Sequence, residues 1–68
     1  MVLRDRIGQV INVGELVILC NPPSPDTKYN WILQDVIDYG VTLDLVLCNY
    51  YSKQIQFAAP YEVEKQIL

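Results

Sequence analysis

Eight consecutive residues, Val41-Thr42-Leu43-Asp44-Leu45-Val46-Leu47-Cys48, place Val41, Leu43, Leu45 and Leu47 on one side and Thr42 and Asp44 on the other. A period of two is the mark of a strand with one face against a core, and it commits the chain to sheet structure. Weaker forms of the same signal lie on either side. Glu15-Leu16-Val17-Ile18-Leu19-Cys20 is apolar, β-branched and too short for a helix, which predicts a strand buried on much of both faces. Trp31 to Tyr39 has strand composition, but the adjacent pairs Ile32-Leu33 and Val36-Ile37 break the alternation. That break predicts a bulge near Gln34 and Asp35, against a helical alternative with Ile32, Val36 and Tyr39 on one face. Asp38-Tyr39-Gly40 is the turn that follows, with Gly40 free to take a positive φ.

The rest of the chain supplies two more strands and their connections. Gly8 and Gly14 punctuate a short extended stretch at the start, and Gly14-Glu15 makes the turn into the first strand. Pro22, Pro23 and Pro25 forbid ladder pairing and predict an extended, stiff loop over Asn21–Asp26. Asn49–Lys53 is a polar turn with two aromatics; Gln54–Ala58 alternates again, predicting Ile55 and Phe57 inward. Ala59–Glu62 predicts one 3₁₀ turn, and Glu62–Leu68 a last strand with Val63, Ile67 or Leu68 inward. Five short strands in 68 residues make one all-β domain spanning 1–68, and the pattern is that of a small SH3-like barrel. A barrel also removes the exposed edges that a flat sheet this apolar would carry.

Composition narrows the chemistry. Five Lys and Arg against eight Asp and Glu leave a net charge of −3, and the cations (Arg4, Arg6, Lys28, Lys53, Lys65) are scattered. Grip on a phosphate backbone needs several of them clustered, so duplex binding is disfavoured. Histidine is absent, and Cys20 and Cys48 form no Cys-x-x-Cys, so neither a zinc site nor a histidine-based nucleophile is expected. Two cysteines at the ends of apolar runs read as buried free thiols in a reducing compartment, hence a cytoplasmic protein. The sequence lacks an apolar span of membrane length, and Met1-Val-Leu-Arg-Asp-Arg lacks the apolar core of a secretory signal. No Gly-x-x-x-x-Gly-Lys loop is present to cradle phosphate. No cofactor, metal or membrane partner is expected, and no enzymatic activity.

The opening Asp5-Arg6-Ile7-Gly8-Gln9-Val10-Ile11-Asn12-Val13-Gly14-Glu15-Leu16-Val17 resembles that of small phage-encoded SH3-like, or KOW-like, β-barrel proteins. Their pattern runs Asp-x-x-Gly-x-x-Ile-x-Val-Gly-Asp-x-Val, and Pro60-Tyr61-Glu62-Val63-Glu64-Lys65-Gln66-Ile67 looks like their closing segment. The resemblance implies a barrel made inside an infected bacterium. It departs from the KOW pattern where a glycine opens the second strand and this chain has Asn30-Trp31; that departure and the acidic balance weaken the transfer of RNA or ribosome binding.

Candidate binding residues are aromatic and acidic. Tyr29 and Trp31 follow the proline loop and Tyr50 and Tyr51 sit in the turn after the third strand, where loops of an SH3-like barrel converge on a peptide groove. The alternative makes Trp31 a core plug, with the tyrosines covering the barrel mouth. Asp35 and Asp44 come near each other across the second hairpin; lacking histidine or a pocket, they suit an acidic stripe against a basic partner better than catalysis. The proline loop reads as a rigid connection rather than as a ligand for another domain. The expected function is a non-enzymatic protein-binding module that occupies a host polymerase, nuclease or defence component. Two alternatives remain: a barrel stacking Tyr29, Trp31, Tyr50 and Tyr51 on single-stranded bases, and a structural subunit of a homo-oligomer such as a dimer. The last would bury Val17, Leu19, Val46 and Cys48, a surplus of outward apolar residues.

Overall fold

A computed structural model describes residues 2–67. Five antiparallel strands form one sheet: β1 (Leu16–Leu19), β2 (Trp31–Asp38), β3 (Leu43–Asn49), β4 (Ile55–Ala58) and β5 (Val63–Lys65). Their spatial order is β4-β3-β2-β1-β5, so the first four strands form a meander and the last returns to pair with the first. Among the described residues β4 and β5 are not paired with each other, so the sheet is open with two edges rather than closed into the expected barrel. The all-β class, the five strands and the 3₁₀ turn directly before the last strand (Pro60–Glu62) are as expected.

The alternating strand patterns assign the core. Val17, Leu19, Trp31, Leu33, Leu45, Leu47, Ala58 and Val63 are buried on the inner face, and Ile11 closes over them with Leu3 and Val36. The bulge falls where the broken alternation puts it: the β2–β3 register shifts between Leu33 and Asp35, which lets both Leu33 and Val36 point inward around one extra residue. At the hairpin Tyr39 N donates to Thr42 O at 2.9 Å, Asp38 Oδ1 accepts from Gly40 N at 2.7 Å, and Gly40 takes φ +92°. Val41 is the turn tip, 96% exposed, rather than an inward strand residue.

Other placements differ from expectation. Val17 and Leu19 face the core, so Leu16 and Ile18 are the half-buried outward residues of β1. In β4 the phase is reversed: Ala58 is buried while Ile55 and Phe57 are 48% and 58% exposed. The cause is the turn before it, where Lys53 adopts φ +63° and its N–H bonds to Asn49 O. That extra left-handed residue moves the strand by one position, and a one-residue slip turns every side chain over. The proline loop contains a 3₁₀ turn, Pro25–Thr27, with the Ser24 hydroxyl at its N-cap. β5 is three residues long, Ile67 lies exposed beyond it, and Leu68 falls outside the described residues.

The N-terminal segment folds back on itself rather than running extended. Arg4 bridges Val10, Ile11 N donates to Leu3 O at 3.0 Å, and Asp5 N donates to Gln9 O at 2.9 Å. Asp5 holds this loop to the sheet: its buried carboxylate accepts from Ile7 N (3.1 Å), Gln9 N (2.8 Å) and, sixty residues along the chain, Lys65 N (2.7 Å).

Candidate functional site

Cross-strand partners share a face, so the register gives the composition of the outer side of the sheet. Leu16 opposes Ile32, Ile32 opposes Cys48, and Cys48 opposes Ile55: one apolar row crosses four strands. On the next rung of that face, Asp35 opposes Val46 and Val46 opposes Phe57. Asp44 follows, opposite Ile37. The outer face is therefore an apolar band with acids at one end. Asp35 and Asp44 do share a face, diagonally across Val46. Asp35 Oδ1 already accepts from Val36 N at 2.8 Å.

At the opposite end of the β2–β3 ladder two loops are fastened together. Tyr50 N donates to Asn30 O at 2.8 Å, and the buried Asn49 donates from Nδ2 to Tyr29 O at 3.2 Å. Asn49 Oδ1 accepts from Tyr51 N and Ser52 N, so this one side chain shapes the turn and ties it to the neighbouring loop. Asn30 takes φ +68°, the left-handed conformation that glycine adopts at least cost, with its N–H bonded to Gln66 Oε1. Tyr29, Tyr50 and Tyr51 are brought to this end and are more than half exposed. The Tyr50 and Tyr51 rings meet edge to face at 5.0 Å; Lys53 Nζ lies 5.0 Å from the Tyr50 ring centre and Lys28 Nζ 5.9 Å from that of Tyr29.

Trp31 does not join them. It is completely buried, and its indole N–H donates to Thr27 O, so of its two expected roles it takes the core plug. The tyrosines and the carboxylates also form two groups rather than one. Asp44 is five residues along β3 from Asn49, about 17 Å at a strand's rise of ~3.4 Å per residue. The apolar band lies between them. Its β3 members, Val46 and Cys48, were expected outward; those of β1 and β4 were concealed because β1 is apolar at every position and β4 takes the opposite phase.

Shallow depressions of similar size mark the surface formed by the described residues. That of about 370 Å³ is lined by Arg6, Ile18, Cys20, Lys28, Tyr29 and Glu64; one of about 280 Å³ lies between the N-terminal loop and Val36; another, of about 290 Å³, lies under the β2–β3 turn. Both cysteines are free and half-buried, Cys48 in the apolar row and Cys20 in the first depression. Among the described residues no group of three His, Cys, Asp or Glu is placed to hold a metal ion, and no helix is long and apolar enough to cross a membrane. Comparison with known proteins finds no matching family model, no matching curated protein and no matching solved structure.

Proposed function

We propose that this chain is a non-enzymatic, SH3-like protein-binding module that takes its partner on the outer face of the sheet. One observation carries the proposal: the apolar row Leu16-Ile32-Cys48-Ile55, extended by Val46 and Phe57, on a face with no layer of its own chain described over it. Contiguous apolar surface bounded by polar groups is the usual composition of a protein contact. Asp35 and Asp44 at one end suit a basic rim on the partner, and the tyrosines at the other end are anchor residues by type. A chain without histidine, whose paired carboxylates stand on an open sheet, supports binding over catalysis. The strand order, with a 3₁₀ turn leading β5 back to β1, supports the SH3-like assignment. The resemblance to small phage proteins supports a host protein in the bacterial cytoplasm as the partner, with modulation of a polymerase, nuclease or defence component as the outcome.

The test is capture from bacterial lysate, with and without nuclease, by the wild type, Val46→Lys and Tyr51→Ala. One host protein retained after nuclease, and weakened about tenfold or more by Val46→Lys, is the expected result, a loss of roughly 1.4 kcal/mol. Retention untouched by Val46→Lys, or no retention at all, overturns it. The two Lys–Tyr contacts favour a second reading, in which Tyr29, Tyr50 and Tyr51 stack on single-stranded bases while Lys28 and Lys53 meet the phosphates. Its mark is retention that ends with nuclease and weakens as salt rises.

A further inference from the structure

The β4 edge is uncovered, uncharged and self-complementary. Asn49 N donates to Gln54 O at 2.9 Å, which makes that pair a hydrogen-bonded rung of the β3–β4 ladder. Antiparallel rungs alternate, so Gln56 and Ala58 turn their backbone groups toward β3, while Ile55 and Phe57 turn theirs away. Among the described residues no hydrogen bond reaches those outward groups. Two donors and two acceptors, spaced two residues apart, thus stand on an open edge beside two half-exposed apolar side chains. From Gln54 through Tyr61 the chain carries no charge to oppose a neighbouring strand.

From this we propose that β4 pairs antiparallel with β4 of a second copy, about a two-fold axis at Gln56, joining two sheets into one. In that register Ile55 lies opposite Phe57 of the second copy, and Phe57 opposite its Ile55. All four outward backbone groups of each copy find partners, and both cross-strand pairs on the outer face are apolar with apolar. An isologous contact of this kind closes on itself instead of propagating. It also sets the two apolar outer faces side by side, a geometry that does not depend on the function proposed above. Two four-residue edges cover less than the ~1,200 Å² of a standard interface, so the dimer is weak and assembles between about 1 μM and about 1 mM.

The experiment is sedimentation equilibrium across that range, with residue-resolved amide exchange on the same samples. As concentration rises, the mass should climb from that of one chain toward that of two, and the Ile55 and Phe57 amides should slow about tenfold or more in step. Gln56 and Ala58, bonded to β3, should be protected at every concentration. Phe57→Lys, at a side chain 58% exposed, should keep the fold and stay monomeric at about tenfold higher concentration. The wild-type exchange pattern stands on its own should that variant fold poorly. Three results overturn the proposal: a monomer through about 1 mM, including one whose edge is protected only when an extended peptide is added; assembly that leaves the Ile55 and Phe57 amides fast; or assembly that a folded Phe57→Lys does not weaken.

Discussion

The two edges of the sheet are treated differently. At β5 the chain itself engages three outward backbone groups: Val63 N donates to Pro60 O, Val63 O accepts from Arg6 N at 3.0 Å, and Lys65 N donates to Asp5 Oδ2 at 2.7 Å. Charges sit over that edge as well, with Arg6 paired to Glu64 and Lys65 Nζ 3.5 Å from Glu15 Oε2. At β4 nothing comparable exists among the described residues, and Ile55 and Phe57 are the only large side chains on the strand's outer face. Natural sheets that avoid edge-to-edge contact cover or charge their edges. One edge here is closed and the other left open. Openness at β4 is therefore local: among the described residues the means to blunt an edge are applied to one side of the sheet.

The largest test of the comparison removes the closure. Asp5→Ala takes away the acceptor for three backbone N–H groups and leaves those at Gln9 and Lys65 without a partner. At roughly 1.5 kcal/mol or more for each of the two unpartnered hydrogen bonds to a charged group, the expected loss is about 3 kcal/mol or more. A chain this long commands only about 3–10 kcal/mol in all, so urea unfolding should show a steep drop in midpoint. The Lys65 amide should exchange faster as well, leaving a second open edge. A loss below about 1 kcal/mol would mean that Asp5 is replaceable by water and that the β5 edge is not held shut by it.

How much of this contrast could be read beforehand depends on whether a feature is local. β3 alternates cleanly, and its inward and outward residues from Leu43 onward are where a period of two puts them. The bulge near Gln34 and Asp35 was legible because two apolar pairs out of phase leave few other arrangements. In β1 every residue is apolar, so pattern alone cannot choose a face, and Val17 and Leu19 fell on the side opposite to the one expected. β4 was misphased for a subtler reason. The residue that shifts it, Lys53 at φ +63°, is not the glycine or asparagine that ordinarily marks a left-handed position. The tyrosines could be placed at the loop end from their neighbours in sequence, whereas the bond from Lys65 N to Asp5 spans sixty residues and has no motif. Asn30 adopts φ +68°, a left-handed position that its residue type permits but does not announce.

A smaller test concerns the charges over the closed edge. Arg6 and Glu64 form an ion pair with side chains 45% and 31% exposed, so water and salt screen much of their attraction. Arg6→Ala should cost about 0.5 kcal/mol or less at low salt and nearly nothing at high salt. Its backbone N–H to Val63 O survives the substitution, so the β5 amides should remain as protected as in the wild type. If Arg6→Ala instead unmasked β5, closure would belong to side-chain charge rather than to the backbone and Asp5.

The smallest effect is a matter of acid. Glu15 accepts at Oε1 from Asn12 N at 2.7 Å, and this bond, more than the nearby Lys65 ammonium, holds its carboxyl below the ordinary value of 4.5 against a partial cost of desolvation. A carboxyl whose folded pKa is depressed lends stability that is complete above the unfolded value. The stability is lost as pH falls through the folded one, because the unfolded chain takes up the proton first. The difference in stability between wild type and Glu15→Gln should therefore be constant above pH 4.5 and shrink steadily below it, as read from urea midpoints at a series of pH values. Asn12→Pro, which deletes the donor N–H, should flatten that dependence while leaving Lys65 in place. A dependence that survived Asn12→Pro, but vanished in Lys65→Met, would assign the shift to the ammonium at the closed edge. The charges there would then act through Glu15 as well as through Glu64, and the asymmetry between β5 and β4 would be more electrostatic than the hydrogen bonds make it.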